Sequence, residues 1–257
     1  MNPDYVDELR HVLSEGRLEA YRPTGGDDLA TIATYFWNVN LCQSLYLSLG
    51  TLEIVMRNGI HNTLSSHFGR EDWYDIHDLL LRQEATAVWK AKKGIRDAKQ
   101  HEIAQGRDPI VPGRVIASLT FGTWTGLLDR GYGGSPKGPQ FWSLSSGLLS
   151  GVFPHAPSNL RQERANLHRY INRIRLLRNR VFHYEPIWNG IHLPMLGKKR
   201  GFETVPVEEI HVQIIDAIGW VSPVAVEIVK RLDTFTDVYV NGRSQIESAI
   251  NDLSGDQ

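Results

Sequence analysis

The residues with the clearest chemical potential are Arg178, Asn179 and His183, which lie within six consecutive positions. Histidine can accept or donate a proton near neutral pH, and a guanidinium can stabilise the negative charge of a phosphorane. Both are needed when the 2′-hydroxyl of RNA attacks the adjacent phosphorus without a metal ion. For such a reaction Arg178 is suited to stabilising the phosphorane, His183 to acting as general acid or base, and Asn179 to orienting them.

The spacing of these residues complicates that interpretation. On a straight helix, Arg178 and His183 would point about 140° apart, whereas Asn179 and His183 would be nearly aligned. Three arrangements remain open: the arginine side chain reaches around the helix, the helix end unwinds near Pro186, or two copies of the helix face each other.

Each of these residues also has a structural interpretation. Arg178 can be a buried partner of Glu53, and His183 can cap the helix by binding its last carbonyl groups. Glu53 itself belongs to a line of polar residues on an otherwise apolar helix. We interpret this line as a supporting polar network and not as a second active site; it consists of Glu53, Arg57, Asn58 and His61.

The segment 166–186 is predicted to form one long helix that stops at Pro186. Its core face comprises Leu167, Tyr170, Ile171, Ile174, Leu177 and Val181. A polar line on another face comprises His168, Asn172, Arg175, Asn179 and His183. Residues 161–184 contain seven arginines, no lysine and one acidic residue, Glu163. The first three residues of the polar line either contact RNA or form a solvated face.

Two further places are candidates for contact with RNA. Tyr184 can stack on a base or simply pack against its neighbours. Lys198 and Lys199 lie in a glycine-rich and proline-rich segment, where they contact phosphate or form ordinary surface. The chain as a whole has a net charge of −1, so any RNA site must be a local patch.

The segment 178–183 has the form R-N-x-x-x-H, which resembles the signature of HEPN domains. Three blocks in order, at 40–60, 118–124 and 177–189, resemble the Abi-like abortive-infection family of that superfamily. The resemblance implies an all-helical endoribonuclease that needs no metal and leaves 2′,3′-cyclic phosphate ends. It also implies a bacterial defence protein or toxin acting on tRNA or mRNA, a homodimer that pairs two motifs, and an RNA or protein antitoxin.

Composition limits the remaining possibilities. The 257 residues include a single cysteine, Cys42, which excludes an intrachain disulfide and a cysteine-based zinc cluster. We expect no cofactor and no metal. The first residues lack a signal-peptide pattern, and no run of eighteen apolar residues occurs. We therefore expect a cytoplasmic protein with no membrane partner.

The predicted fold class is all-α: a HEPN-like helical bundle with extra helices and a loop or hairpin insertion after the motif helix. One domain covers 1–257, with a family-like core at about 28–235. Residues 131–139 and 187–205 are predicted as exposed loops, and 241–257 as a weakly ordered tail. Helices are expected at 29–68, with a break near 38–40, and at 207–235, with a kink at Pro223.

Two other functions remain open at this stage. The chain can be a non-catalytic RNA-binding or sensing module, in which the arginine-rich helix binds phosphate without cleaving it. It can also be a helical oligomerisation protein in which all these polar residues are structural. The second alternative predicts that the basic helix is occluded and that RNA does not bind at modest salt.

Overall fold

The computed structural model describes residues 3–76, 86–129, 142, 147–196 and 201–255. Within them the chain is mostly helical and has two short strands, so the all-α fold class is confirmed. The helices are α1 (Pro3–Leu13), α2 (Glu15–Leu18), α3 (Asp28–Ser44), α4 (Tyr46–Phe68), α5 (Thr86–Ala104), α6 (Pro112–Ser118), α7 (Phe121–Leu127), α8 (Leu148–Val152), α9 (Ser158–Arg161), α10 (Arg164–Phe182), α11 (Val207–Val221), α12 (Pro223–Leu232) and α13 (Phe235–Gly255); the strands are β1 (Ile191–Pro194) and β2 (Phe202–Val205).

Helix α4 lies at the centre of the bundle. Its residues Leu52, Met56 and Ile60 are fully buried, and the helix packs against α7, α8, α11 and α12. The region Asp28–Phe68 is long and apolar enough to cross a membrane by length and composition alone, a test that core helices also pass. Some of its apolar residues are buried by other helices, whereas Phe36, Tyr46, Leu47 and Ile54 are exposed.

The break between α3 and α4 falls at Leu45, so the predicted break near 38–40 is wrong. Asn38 lies inside α3 and is completely buried. Asparagine usually weakens a helix because its side chain competes for nearby backbone groups. Here the Asn38 amide bonds to residues 185–188 of the chain, so the helix continues through it.

The segment 207–235 also differs from its prediction, because it forms two helices and not one kinked helix. Ser222 separates them in an extended conformation (φ −146°, ψ 104°), and Pro223 opens α12. The Ser222 hydroxyl accepts a hydrogen bond from the Ala225 N–H at 3.2 Å. This N-cap satisfies a donor of the new helix and stabilises the interruption.

Residues 241–255 belong to α13, in contrast to the predicted weakly ordered tail. This helix packs along α3, and the Trp37 indole N–H donates a hydrogen bond to the Val238 carbonyl at 2.8 Å. At Gly242 a Cβ atom would lie 3.0 Å from Trp37 Cδ1, so glycine allows this close approach. Few apolar residues follow residue 241, so the sequence did not predict that this segment packs against α3.

Part of the segment 187–205 forms an antiparallel hairpin, in which Ile191 pairs with Val205 and Pro194 with Phe202. Ile191 and Val205 are buried, so the hairpin contributes to the core and is not simply an exposed loop. Arg173 of α10, itself 1% exposed, donates a hydrogen bond to a Glu203 carboxylate oxygen at 2.8 Å and thereby ties the hairpin to the motif helix. The predicted loop at 131–139 lies outside the described residues.

Candidate active site at the end of helix α10

Helix α10 ends at Phe182, earlier than the predicted stop at Pro186. His183 is the C-cap (φ −107°, ψ 6°), and its backbone N–H bonds to the Arg180 carbonyl at 3.1 Å. The side chain is exposed, and its ring forms no hydrogen bond among the described residues. The helix end has therefore unwound at His183, and the ring does not cap the last carbonyl groups.

The turn after the helix places a tyrosine in a left-handed conformation. Tyr184 has a φ of 49°, a region that glycine adopts readily and bulky residues rarely do. Its N–H bonds to the Val181 carbonyl at 3.1 Å, and the Glu185 N–H bonds to the Arg180 carbonyl at 3.0 Å. This pattern is a Schellman motif, in which the left-handed position usually holds glycine. A tyrosine there is strained, so other contacts must stabilise the turn.

Three side chains from the start of the chain stabilise this turn. The Tyr184 carbonyl accepts hydrogen bonds from the Tyr21 hydroxyl at 2.9 Å and from Arg17 Nη2 at 3.2 Å. The Tyr184 hydroxyl bonds to the Tyr46 hydroxyl at 3.0 Å. That bond and burial raise the pKa of Tyr46 to about 12, so this hydroxyl stays protonated near neutral pH. Tyr184, a predicted base-stacking residue, is partly buried.

Asn38 fixes the chain that follows the turn. Its Oδ1 accepts hydrogen bonds from the backbone N–H groups of Ile187 at 2.8 Å and Trp188 at 3.2 Å. Its Nδ2 donates to the Glu185 carbonyl at 3.2 Å. Sequence analysis missed Asn38 and Tyr21 as residues that position the motif. The available signal was an asparagine within an apolar helix, since buried amides are almost always hydrogen-bonded.

Arg178 is turned toward helix α4. Its Nη2 lies 3.6 Å from Glu53 Oε2, and its guanidinium carbon lies 4.1 Å from the centre of the Phe182 ring. The side chain is partly buried, and its buried Nε has no hydrogen-bond partner. Asn179 is exposed, one helical turn before His183. The arginine is thus anchored by structural contacts, while Asn179 and His183 face solvent.

The polar line on α4 does not form one connected network. Glu53 faces Arg178, whereas Arg57 donates to a backbone carbonyl of α6 at 3.3 Å and, at the same distance, to the amide oxygen of its neighbour Asn58. His61 Nδ1 accepts a hydrogen bond from the Trp73 indole at 3.1 Å, and burial lowers the pKa of His61. No bond joins Glu53, Arg57 and His61 to one another in the described part of the chain, because each contacts a different part of the fold.

The predicted polar line on α10 divides into two parts. His168, Asn172 and Arg175 line a cleft of about 770 Å³ between α10, α5 and α7. Asn179 and His183 lie beyond that cleft, at the exposed end of the helix. The structure therefore separates a pocket, at the start of the line, from the motif at its end.

The arginines of this region do not form one phosphate-facing surface. Arg173 is buried against the hairpin, and a guanidinium nitrogen of Arg164 donates to a backbone carbonyl at the end of α7. Arg180 lies 3.8 Å from the carboxylate of Glu185, just beyond the end of the helix. Lys198 and Lys199, the predicted phosphate-contacting pair, lie outside the described residues. The local excess of arginine is therefore partly structural.

Within the described ranges, no three histidine, cysteine or acidic side chains form a group that could hold a metal ion. No protein-family model, curated protein or solved structure matches this chain. The resemblance to the Abi-like family therefore remains a prediction from the three sequence blocks.

Proposed function

We propose that this chain is a metal-independent endoribonuclease of the HEPN type, in the Abi-like family. The observation that carries the proposal is the environment of His183. This histidine is exposed, its ring is free of hydrogen bonds among the described residues, and it sits beside a strained turn. Tyr21, Tyr46 and Asn38 stabilise that turn. Backbone strain that is maintained by several surrounding contacts is typical of functional sites.

The reaction would transfer the 2′-oxygen to the adjacent phosphorus while the bond from phosphorus to the 5′-oxygen breaks. A base takes the proton of the 2′-hydroxyl, and an acid gives a proton to the leaving 5′-oxygen, so that a 2′,3′-cyclic phosphate remains. His183 serves as acid or base, and Asn179, one turn earlier, orients it or the phosphate. Arg178 stabilises the charge on the phosphorane oxygens.

One chain supplies one motif, so we propose that a second copy completes the site. A homodimer would bring two His183 residues together, one as acid and one as base. The surface beside the motif supports this arrangement because it carries exposed apolar side chains. These are Tyr46, Leu47, Ile54 and Phe182, with exposed fractions from 37% to 49%.

The substrate of such an enzyme would be single-stranded or loop RNA, such as tRNA or mRNA, in the bacterial cytoplasm. Its role would be abortive infection or toxicity controlled by an RNA or protein antitoxin. The family resemblance supports these points. The partly buried Tyr184 can contribute an RNA contact next to the motif, and the polar residues in the cleft along α10 can contribute contacts farther from it.

The test is cleavage of single-stranded RNA in excess EDTA, with folding checked by circular dichroism. We expect the wild type to leave 2′,3′-cyclic phosphate ends and His183→Ala to lose at least a hundredfold in rate, as removal of a general acid or base does. His155→Ala is the matched control, because His155 is also exposed and lies outside the motif. Equal rates for the wild type and folded His183→Ala would refute the proposal.

Arg178 needs a second comparison because it contacts Glu53. We expect Glu53→Gln to fold and to cleave RNA, since the glutamine keeps the size and hydrogen-bonding ability of the side chain. Arg178→Lys should retain the positive charge but lose most of the rate, because lysine lacks the bidentate fork. If Arg178→Lys retains full activity, the arginine is a structural partner of Glu53 and not a catalytic group.

A second candidate function is a non-catalytic RNA-binding or sensing module of a defence system. The contacts of Arg178 favour this alternative. Its guanidinium faces Glu53 and the Phe182 ring, as expected of a structural group and not of a group that stabilises a phosphorane. This alternative predicts RNA binding without cleavage, and equal RNA affinity for the wild type and His183→Ala.

A further inference from the structure

A cleft lies between α5, α7 and α10, away from the motif turn. It has a volume of about 770 Å³, within the range of sites that hold small molecules and cofactors. One wall comes from α10, a second from α5, and a third from α7 and the residues before it. Sequence analysis identified polar residues of the first wall only.

The α10 wall carries one guanidinium, that of Arg175, and one histidine, His168. Arg175 is partly buried, its Nε donates to Asn172 Oδ1 at 2.9 Å, and it forms no ion pair within the described chain. His168 lies 3.7 Å from the Asp129 carboxylate. Burial lowers the pKa of Arg175 and of His168. A guanidinium held partly out of water without a carboxylate is stabilised by an anionic ligand.

The α5 wall adds charge at the rim. Lys90 is exposed and has no partner among the described residues, whereas Lys93 pairs with Asp97. His101 also lines this wall. Lys90, which has no partner within the described ranges, and Arg175 thus both line the cleft, so both favour an anion bound in it.

The third wall carries hydroxyl groups and a glycine, whose backbone is not covered by a side chain. Thr120 and Thr123 lie at the start of α7, with their hydroxyl oxygens 3.3 Å apart. Gly94 and Gly122 line the same space, so no side chain fills it there. Leu119 adds an apolar surface. Hydroxyls beside an apolar surface can receive a ribose and a base, while the cations receive a phosphate.

We propose that this cleft binds a nucleotide unit, with its phosphate between Arg175 and Lys90 and its ribose near the α7 hydroxyls. Arg175 and Lys90 favour an anion, and the volume exceeds what inorganic phosphate fills. A free nucleotide and one nucleotide of an RNA chain share this chemistry. A free nucleotide would bind independently of ribonuclease activity, whereas a unit of an RNA chain would rest on the proposed function.

The test is isothermal titration calorimetry on the full chain with two probes. One probe is 5′-AMP; the other is a short oligoribonucleotide with 2′-O-methyl groups, which cannot form a cyclic phosphate. We expect at least one probe to bind, Arg175→Gln to weaken binding at least tenfold, and Lys90→Gln to weaken it severalfold. Arg231→Gln is the control because Arg231 is exposed on α12, outside the cleft. Binding of 5′-AMP indicates a small ligand, and binding of the oligonucleotide alone indicates RNA.

The proposal is overturned if neither probe binds at millimolar concentration, or if Lys90→Gln and folded Arg175→Gln bind as well as Arg231→Gln. It is also overturned if inorganic phosphate competes as strongly as 5′-AMP, since the cleft is then only an anion site. If Arg175→Gln does not fold, the binding affinity of Lys90→Gln alone tests the proposal. Binding that persists in His183→Ala separates the cleft from the catalytic proposal.

Discussion

Replacing Asn38 with alanine tests how the motif turn is held. The Asn38 side chain is completely buried and makes three hydrogen bonds to the backbone of residues 185–188. Alanine would leave the N–H groups of Ile187 and Trp188 without their acceptor, and the Glu185 carbonyl without its donor. The affected residues directly follow the turn that carries His183.

The expected loss of stability follows from how far each backbone group is buried. Leaving a buried polar group without a partner costs about 1–3 kcal/mol. Ile187 is buried, so its N–H bears the full cost, whereas Trp188 and Glu185 are partly or fully exposed and can find water. We therefore expect Asn38→Ala to lower the free energy of unfolding by about 2–4 kcal/mol. Asn38→Asp should cost at least as much, because it places a carboxylate against the Glu185 carbonyl.

Urea unfolding followed by circular dichroism measures this change. Asn40→Ala is the matched control, because Asn40 is an exposed asparagine of the same helix; we expect a change within about 0.5 kcal/mol. RNA cleavage is then measured under conditions in which each variant is folded. Wild-type stability for Asn38→Ala would refute the energetic argument. Reduced stability with undiminished cleavage by the folded variant would show that Asn38 does not position His183.

Two further predictions concern pH dependence and assembly. His61 accepts a hydrogen bond from Trp73 at the nitrogen that protonation would occupy, and burial lowers its pKa below the ordinary value of 6.5. The unfolded chain therefore binds the proton more readily, so the stability contributed by neutral His61 is present above pH 6.5 and is lost as the pH falls below it. His61→Gln should reduce that loss in urea unfolding at several pH values. Ile54, which is 49% exposed beside the motif, should lie in the dimer interface, so Ile54→Glu should lower the molar mass measured by light scattering.

Each of these predictions has a control and a result that contradicts it. His67→Gln is the comparison for the pH experiment, because His67 is an exposed histidine of the same helix. Equal pH dependence for wild type and His61→Gln would exclude His61 as the acid-sensitive group. Val224→Glu is the comparison for assembly, since Val224 is exposed on α12, and should leave the mass unchanged. A wild-type monomer at all concentrations tested would rule out the proposed dimer.

The sequence predicted the core face of the motif helix well. Five of its six positions are buried and Tyr170 is partly buried, packing on Trp220 with ring centres 4.6 Å apart. This success has a local cause, since helical periodicity depends only on residue types at spacings of three and four. Sequence analysis also offered the pair of Arg178 with Glu53 as one of two interpretations, because a buried arginine needs a partner, and the structure brings the two side chains together.

The sequence could not reveal which distant groups the polar side chains would meet. Asn38 weakens a helix by local propensity, yet it stays helical because its amide bonds to a segment about 150 residues later. The end of α10 depends on Tyr21, Arg17 and Tyr46, which hold a left-handed tyrosine that local preferences disfavour. The cleft likewise exists only because α5 and α7 pack against α10.

The sequence by itself thus determined the helical class, the buried face of α10 and the residue types available for phosphate chemistry, because these follow from composition and short-range spacing. Only the tertiary structure decided that Arg173 anchors the hairpin, that His183 is exposed at an unwound helix end, and that Arg175 lines a cleft. The physical reason is that hydrogen bonds and burial join residues far apart in the chain, and their pairing is set by packing.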